Sequence, residues 1–378
     1  VAALLAFSPW LAQAEYSATL IETNKAWGST VADFNGDGHD DFFISGHHKE
    51  DRLWYWSPTG YVPSPQILRW VDRHDCDAAD VNLDGRIDMY CAVGAEKGMG
   101  SGPKELWLQD DAGVFQLIEN HGADDPYGRG RIPVFFDFNH DGLPDIYLAN
   151  EDGTRPDGQI NHNHVFVNQG GSTPSFVEAQ TLATGPRGWS CVDKGDVNGD
   201  GWDDLIVCDL GGPPHVYIND RAGNFTELVT PATATKWRDA KLRDMNADGR
   251  DDLVLLTTTN FLKVWLNTGS GGFYEAAPIL DSKINNLPKW LTVGDFNRDG
   301  VQDIYVVQQQ STCKTTHNDT AKDLVFHGKP RGGFIRTMQP MTFAGCGYRA
   351  DTLDGDKILL MNGDISYRGP NYVIEWAP

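Results

Sequence analysis

Residues 33–41 read DFNGDGHDD, with carboxylates or amides at the first, third, fifth and ninth places and glycine at the sixth. The same phrase returns as DVNLDGRID from Asp80, DFNHDGLPD from Asp137, DVNGDGWDD from Asp196, DMNADGRDD from Asp244 and DFNRDGVQD from Asp295. The intervals are 47, 57, 59, 48 and 51 residues, a period that belongs to solenoids, arrays or propellers.

The segments between the loops decide among these. After the first loop come DFFISG, RLWYWS and SPQILRW; after the fifth come DLVLLT, LKVWLNT and GFYEAAP. Such short runs, rich in β-branched and aromatic residues and punctuated by Gly, Asn and Asp, read as strands. No segment sustains a helical apolar period. An EF-hand would flank the loop with helices and close it with Glu at position 12, whereas here strands flank it and position 9 closes it. The expected unit is a blade of four antiparallel strands, with the acidic loop joining the first strand to the second.

The segment FAGCGYRADTLDGDKILLMNG supplies a seventh unit, with a turn at Asp354-Gly355 but without the ordered acidic set. Of DISYRGPNYVIEWAP, which follows it, only YVIEWAP reads as a strand, so this unit lacks its outer strand, and EYSATLIE at 15–22 can provide it. The fold class expected is all-β: a seven-bladed β-propeller over residues 15–378, closed by the N-terminal strand completing the last blade. Residues 1–14, ending in Ala12-Gln13-Ala14, resemble the tail of a secretory signal. No later run is apolar enough for a transmembrane helix.

The loops carry their own chemistry. Side-chain oxygens at positions 1, 3, 5 and 9 and a carbonyl at position 7 make a hard oxygen set, and the glycine lets the chain turn back upon an ion. Calcium suits it best, with about six structural ions expected. The ligands expected are Asp33, Asn35, Asp37 and Asp41; Asp80, Asn82, Asp84 and Asp88; and Asp137, Asn139, Asp141 and Asp145. The other three loops offer Asp196, Asn198, Asp200 and Asp204; Asp244, Asn246, Asp248 and Asp252; and Asp295, Asn297, Asp299 and Asp303.

Six cysteines fit export. Cys76 with Cys91, and Cys191 with Cys208, each straddle one acidic loop and can meet across a hairpin, which leaves Cys313 to Cys346. A formal charge of −22 argues against nucleic acid as a partner.

The repeated loops resemble the FG-GAP/VCBS-repeat family, calcium-loop propellers related to the integrin α-subunit head. HVFVNQGG…SFVEA and KVWLNTGSGGFYEA are also similar to the cartilage-acidic-protein-like and ASPIC/UnbV group. The resemblance implies a secreted or cell-surface scaffold that binds carbohydrate or protein, and it fixes no single activity.

Residues entering the innermost strands lie at the end opposite the loops. There Trp27, Trp189, Trp237, Trp290 and Tyr348 recur, joined by Lys25, Arg73, His74, Arg129, Arg131, Arg187, Lys236, Arg238, Lys289 and Arg349. A cationic rim lined by aromatics would stack on sugar rings and attract carboxylate or sulfate, so an acidic glycan or an extracellular protein is the expected partner. The bland alternative packs the indoles between blades. Two further classes stay open: a self-assembling extracellular matrix component, and a polysaccharide lyase using His74 with Arg73 or Tyr348 with Arg349. No G-x-S-x-G or H-E-x-x-H is present, and the reading leans away from an enzyme. His162 and His164, on alternate residues of GQINHNHVF, and His47 with His48 can be strand or loop residues or transition-metal ligands.

Overall fold

The computed structural model describes residues 16–24, 26–46, 51–95, 101–151, 158, 161–182, 191–208, 214–228, 237–257, 261–269, 272–276, 287–309, 323–329, 334–338, 347–362 and 369–376. The signal-like segment, Lys25, His47, His48, Arg187, Trp189, Lys236, Cys313 and Cys346 lie outside them.

The described strands form seven four-stranded antiparallel sheets. Blade 1 holds β2 (Gly28–Ala32), β3 (Asp41–Ser45), β4 (Arg52–Tyr55) and β5 (Val62–Ile67). Blade 2 holds β6 (Asp72–Ala79), β7 (Asp88–Ala95), β8 (Glu105–Gln109) and β9 (Phe115–Ile118). Blade 3 holds β10 (Gly130–Phe136), β11 (Asp145–Asn150), β12 (Asn163–Asn168) and β13 (Phe176–Leu182). Blade 4 runs from β14 (Cys191–Gly195) and β15 (Asp204–Cys208) to β16 (Pro214–Asn219) and β17 (Phe225–Leu228). Blade 5 comprises β18 (Trp237–Arg243), β19 (Asp252–Thr257), β20 (Leu262–Asn267) and β21 (Phe273–Glu275). Blade 6 comprises β22 (Leu287–Gly294), β23 (Asp303–Gln309), β24 (Leu324–Gly328) and β25 (Phe334–Met338). Blade 7 combines β26 (Arg349–Leu353), β27 (Lys357–Met361) and β28 (Gly369–Trp376) with β1 (Tyr16–Asn24).

β1 pairs with β28 from Tyr16 opposite Trp376 to Asn24 opposite Gly369, so strands from both ends of the chain share one sheet. The innermost strands touch in order around the ring, and β26 returns to β2. That closure covers the blade faces an open array would leave bare at its two ends, while each blade keeps its outermost strand as a short edge.

The core is divided among the seven blade interfaces. One cluster joins Phe42, Ile44 and Trp54 of blade 1 to Leu359, Met361 and Val373 of blade 7, and each remaining interface has its equivalent. Each second strand is sandwiched between neighbours; β3, β11, β15 and β19 are buried throughout. This is why those strands read as unbroken apolar runs rather than alternating ones. Position 2 of every motif (Phe34, Val81, Phe138, Val197, Met245 and Phe296) is buried in the same clusters and anchors its acidic loop.

Cys76 faces Cys91 and Cys191 faces Cys208 across the first two strands of their blades, and each pair is disulfide-bonded.

Candidate functional site

Two constellations occupy opposite ends of the ring, acidic corners at one and a cationic, aromatic cavity at the other.

All six corners are built alike. In the fourth blade the Asp196 carboxylate accepts from Asp200 N at 3.0 Å and Gly201 N at 2.7 Å, while Asn198 Oδ1 accepts from Asp200 N at 2.9 Å. Asp200 Oδ1 in turn accepts from Trp202 N at 3.0 Å. The carboxylates of positions 1 and 5 and the amide of position 3 are thereby wrapped around one point. Position 6 is glycine with φ between 83° and 86° in every loop. Position 4 is left-handed too, and outside the first and fourth loops it is held there by Leu83, His140, Ala247 and Arg298.

Position 9 does something the sequence did not announce. Asp41, Asp88, Asp145, Asp204, Asp252 and Asp303 are fully buried. In the fourth blade Asp204 Oδ2 accepts from Val197 N at 2.9 Å and Oδ1 from Asn219 N at 2.8 Å, which ties loop, second strand and third strand together. The third-strand bond recurs at 2.7–2.8 Å in the other five blades. Burial first, then the neighbouring carboxylates, push Asp41, Asp88, Asp145 and Asp204 up to about 7. Each carboxylate oxygen keeps a further lone pair, so the donor set fits a hard cation, and three acidic groups per loop make one electrostatically favourable.

A second recurring residue also escaped the sequence reading: the amide at the end of the third strand. Asn168 Nδ2 donates to Val81 O at 2.9 Å, Asn267 Nδ2 to Val197 O at 2.5 Å and Gln109 Nε2 to Phe34 O at 3.1 Å. Each bond clips one blade to the acidic loop of the blade before it. The recurring N of VNQGG and LNTGSGG was its only trace.

At the other end a cavity of about 220 Å³ is lined by Trp27, His74, Asp75, Arg131, Ile132, Arg238, Lys289, Trp290, Tyr348 and Arg349. The backbone selects these residues. The pairing of β6, β10, β18 and β22 with their neighbours skips His74, Arg131, Arg238 and Lys289, each six residues before the first Asp of its motif. Trp27 occupies the same place in blade 1, where Trp27 N donates to Ser45 O opposite Gly28. Tyr348 does so in blade 7, donating to Met361 O opposite Arg349. A bulge re-aims the extra residue, here toward the axis.

The rings form a connected wall. Trp27 lies 5.1 Å from Tyr348 and meets the His74 ring edge-on at 5.2 Å, while the Arg349 guanidinium sits 4.5 Å from the centre of Trp290. Arg349 bonds Asp75 at 2.6 Å and Asp351 at 3.0 Å. It forms the floor between this cavity and the axial channel of about 470 Å³ beneath, which Asp75, Ile132 and Arg349 also line. Burial pushes Asp75 up to about 6, less than burial alone would, because the guanidinium opposes it. Arg131 donates to His74 and reaches Glu151. Arg238 is half-buried, has no carboxylate partner among the described residues, and is held below its ordinary pKa by desolvation.

Three rim candidates lie elsewhere. Arg73 is fully buried, bonding Asp51 at 2.5 Å and Glu105 at 2.6 Å within the first blade interface. Trp237 is 1% exposed and packs against Trp265 in the core between blades 4 and 5, which is the bland alternative realised for this indole. Arg129 pairs with Glu151 at 3.0 Å, outside the cavity wall. Arg73 and Trp237 stand one place before the bulge, and that single step turns a side chain away from the axis.

Comparison with known proteins agrees with this architecture. The model of the FG-GAP-like repeat matches residues 33–91, 80–148, 137–207, 196–255 and 244–306, together well over half of the chain. The chain belongs to the FG-GAP-like repeat family. Among solved structures, a chain of the crystal structure of BBS1N in complex with ARL6DN, soaked with mercury, is 7% identical, with a TM-score of 0.58 over 96% of this chain and 95% of that one. Saccharomyces cerevisiae Sqt1 is 10% identical, with a TM-score of 0.57 over 96% and 98%. At such identities the likeness is one of fold. No curated protein matches the sequence.

Proposed function

We propose that this is an exported, calcium-stabilised propeller whose bulge-lined cavity binds an acidic glycan. The observation that carries the reading is the lining itself: Arg131, Arg238, Lys289 and Arg349 stand with three aromatic rings in a chain of net charge −22, and although Arg131 pairs with Glu151 and Arg349 with Asp75 and Asp351, Arg238 has no carboxylate partner among the described residues. Aromatic faces suit the apolar faces of sugar rings, and guanidinium groups bind carboxylate or sulfate in two-pronged fashion. The volume equals that of roughly seven waters, room for one ring with its acid group. Binding is favoured over turnover at His74, because Arg131 Nη1 lies against both ring nitrogens and Asp72 Oδ2 is 3.5 Å from Nε2, which leaves neither nitrogen clear to act as a general base.

Calcium at the six corners accounts for the clustered carboxylates of positions 1, 5 and 9. Two disulfides support an oxidising compartment, consistent with export.

The test is calorimetric titration of the calcium-loaded protein with uronate and sulfated oligosaccharides and a neutral control. The expected result is binding of an acidic ligand that weakens with salt and falls about 10-fold or more in Arg238→Ala, the worth of one charged hydrogen bond. Equal binding of the neutral control, or no loss in Arg238→Ala with Trp290→Ala, contradicts the proposal.

A further inference from the structure

The third blade carries a second, chemically different cluster on the cavity side of the ring. β11 runs away from its acidic corner, so the start of β12 returns to the cavity end. His164 lies in β12, His162 just ahead of it, and Glu178 on the adjacent β13. Alternation puts the two histidines on one side of the chain, and their rings stand 4.3 Å apart.

We propose that His162, His164 and Glu178 form a binding site for a zinc-type divalent ion. Glu178 Oε1 is 2.8 Å from His164 Nδ1 and 3.7 Å from His162 Nε2, and one donor atom from each residue falls within a 4.8 Å span. A tetrahedral zinc with bonds of about 2.0–2.1 Å needs donors roughly 3.4 Å apart, so a small shift of each side chain seats one ion.

The opposite edge of His164 is prepared as well. Asp125 Oδ2 lies 3.5 Å from Nε2, the position of a carboxylate that orients a metal-bound imidazole and directs the other nitrogen to the ion. Asp125 is itself fixed, accepting from Gly128 N at 3.1 Å and Asn150 Nδ2 at 2.9 Å. A Cβ on Gly128 would fall 1.7 Å from Oδ2, so only glycine leaves room for that carboxylate.

Donor chemistry separates this site from the corners. Calcium prefers oxygen, and a mixed imidazole–carboxylate set suits zinc, so excess calcium does not fill it. The side chains of Glu178 and His162 are 43% and 29% exposed, which leaves a coordination position open to water or to a partner's side chain. The site stands independently of glycan binding in the axial cavity.

Zinc titration of chelator-stripped protein, returned to millimolar calcium, tests it. The expected result is one zinc per chain, with His162→Ala and Glu178→Gln each weakening binding about 10-fold or more and their combination abolishing it. Asp125→Asn, a positioning change, should weaken it about 10- to 100-fold. Cobalt in place of zinc should show intense four-coordinate d–d bands that the double variant lacks. Circular dichroism establishes that the surface variants fold, so the test does not depend on Asp125→Asn. No zinc bound in excess calcium, or equal binding by His162→Ala/Glu178→Gln, overturns the proposal.

Discussion

Removing the position-9 carboxylate of the fourth blade, Asp204→Ala, should injure the fold before it touches any ion. Asp204 accepts from Val197 N at 2.9 Å and Asn219 N at 2.8 Å, and both residues are 1% exposed. Alanine leaves two buried amides without an acceptor, at about 1–3 kcal/mol each and so about 2–6 kcal/mol together. For a chain of 378 residues, an unfolding entropy near 2.1 cal/mol/K per residue converts that to a fall of roughly 3–8 °C in Tm. Calorimetry in millimolar calcium and in chelator separates the contributions. The loss should appear in both buffers and be larger with calcium, where a proposed calcium ligand also disappears. In chelator part of it is offset, because the variant no longer buries an anion beside Asp200. A change below about 1 °C in both buffers would refute the role of position 9 as the staple of the blade.

Arg349→Met leaves buried Asp75 facing no cation on that side, and should destabilise by about 3–5 kcal/mol in urea unfolding; a loss below about 1 kcal/mol contradicts the floor assigned to this pair. Burial pushes Asp239 up to about 7 from 3.8, so the folded state holds the extra proton between those values and stability falls as pH rises from about 4 to about 7. Subtracting the urea midpoints of Asp239→Asn from those of wild type across that range should isolate this slope, and a flat difference counts against it. Leu83 is 60% exposed at φ 57°, so Leu83→Gly relieves a left-handed strain of about 1 kcal/mol or more without losing burial. Thermal unfolding should show no loss, and a clear drop in Tm would contradict that reading.

The repeat was legible because six copies of one motif fix both the period and the corner, and the strands between them are too short and too apolar for helices. The hairpin disulfides were legible for the same reason: Cys76 and Cys91 stand nearly symmetrically about one loop. What the sequence hid is phase. KW occurs in both TKWRD and LPKWL, yet Trp237 is buried between blades while Trp290 lines the cavity. The bulge falls after Trp237 and before Trp290, and bulges leave no fixed signature in residue type. Position 9 was hidden differently. An aspartate fits a ligand and a backbone acceptor equally well, and only the location of Asn219 N and its counterparts reveals the second use.

The central claim is that the bulge-lined cavity is the binding site. A crystal structure of the calcium-loaded protein grown with a uronate oligosaccharide tests it most directly. The expected result is a sugar ring against Trp27, Tyr348 or Trp290, with its carboxylate on Arg238 or Lys289 and the Arg349–Asp75 floor intact. A carboxylate bound at the acidic corners, or an oligosaccharide bound elsewhere with the cavity empty, would contradict it.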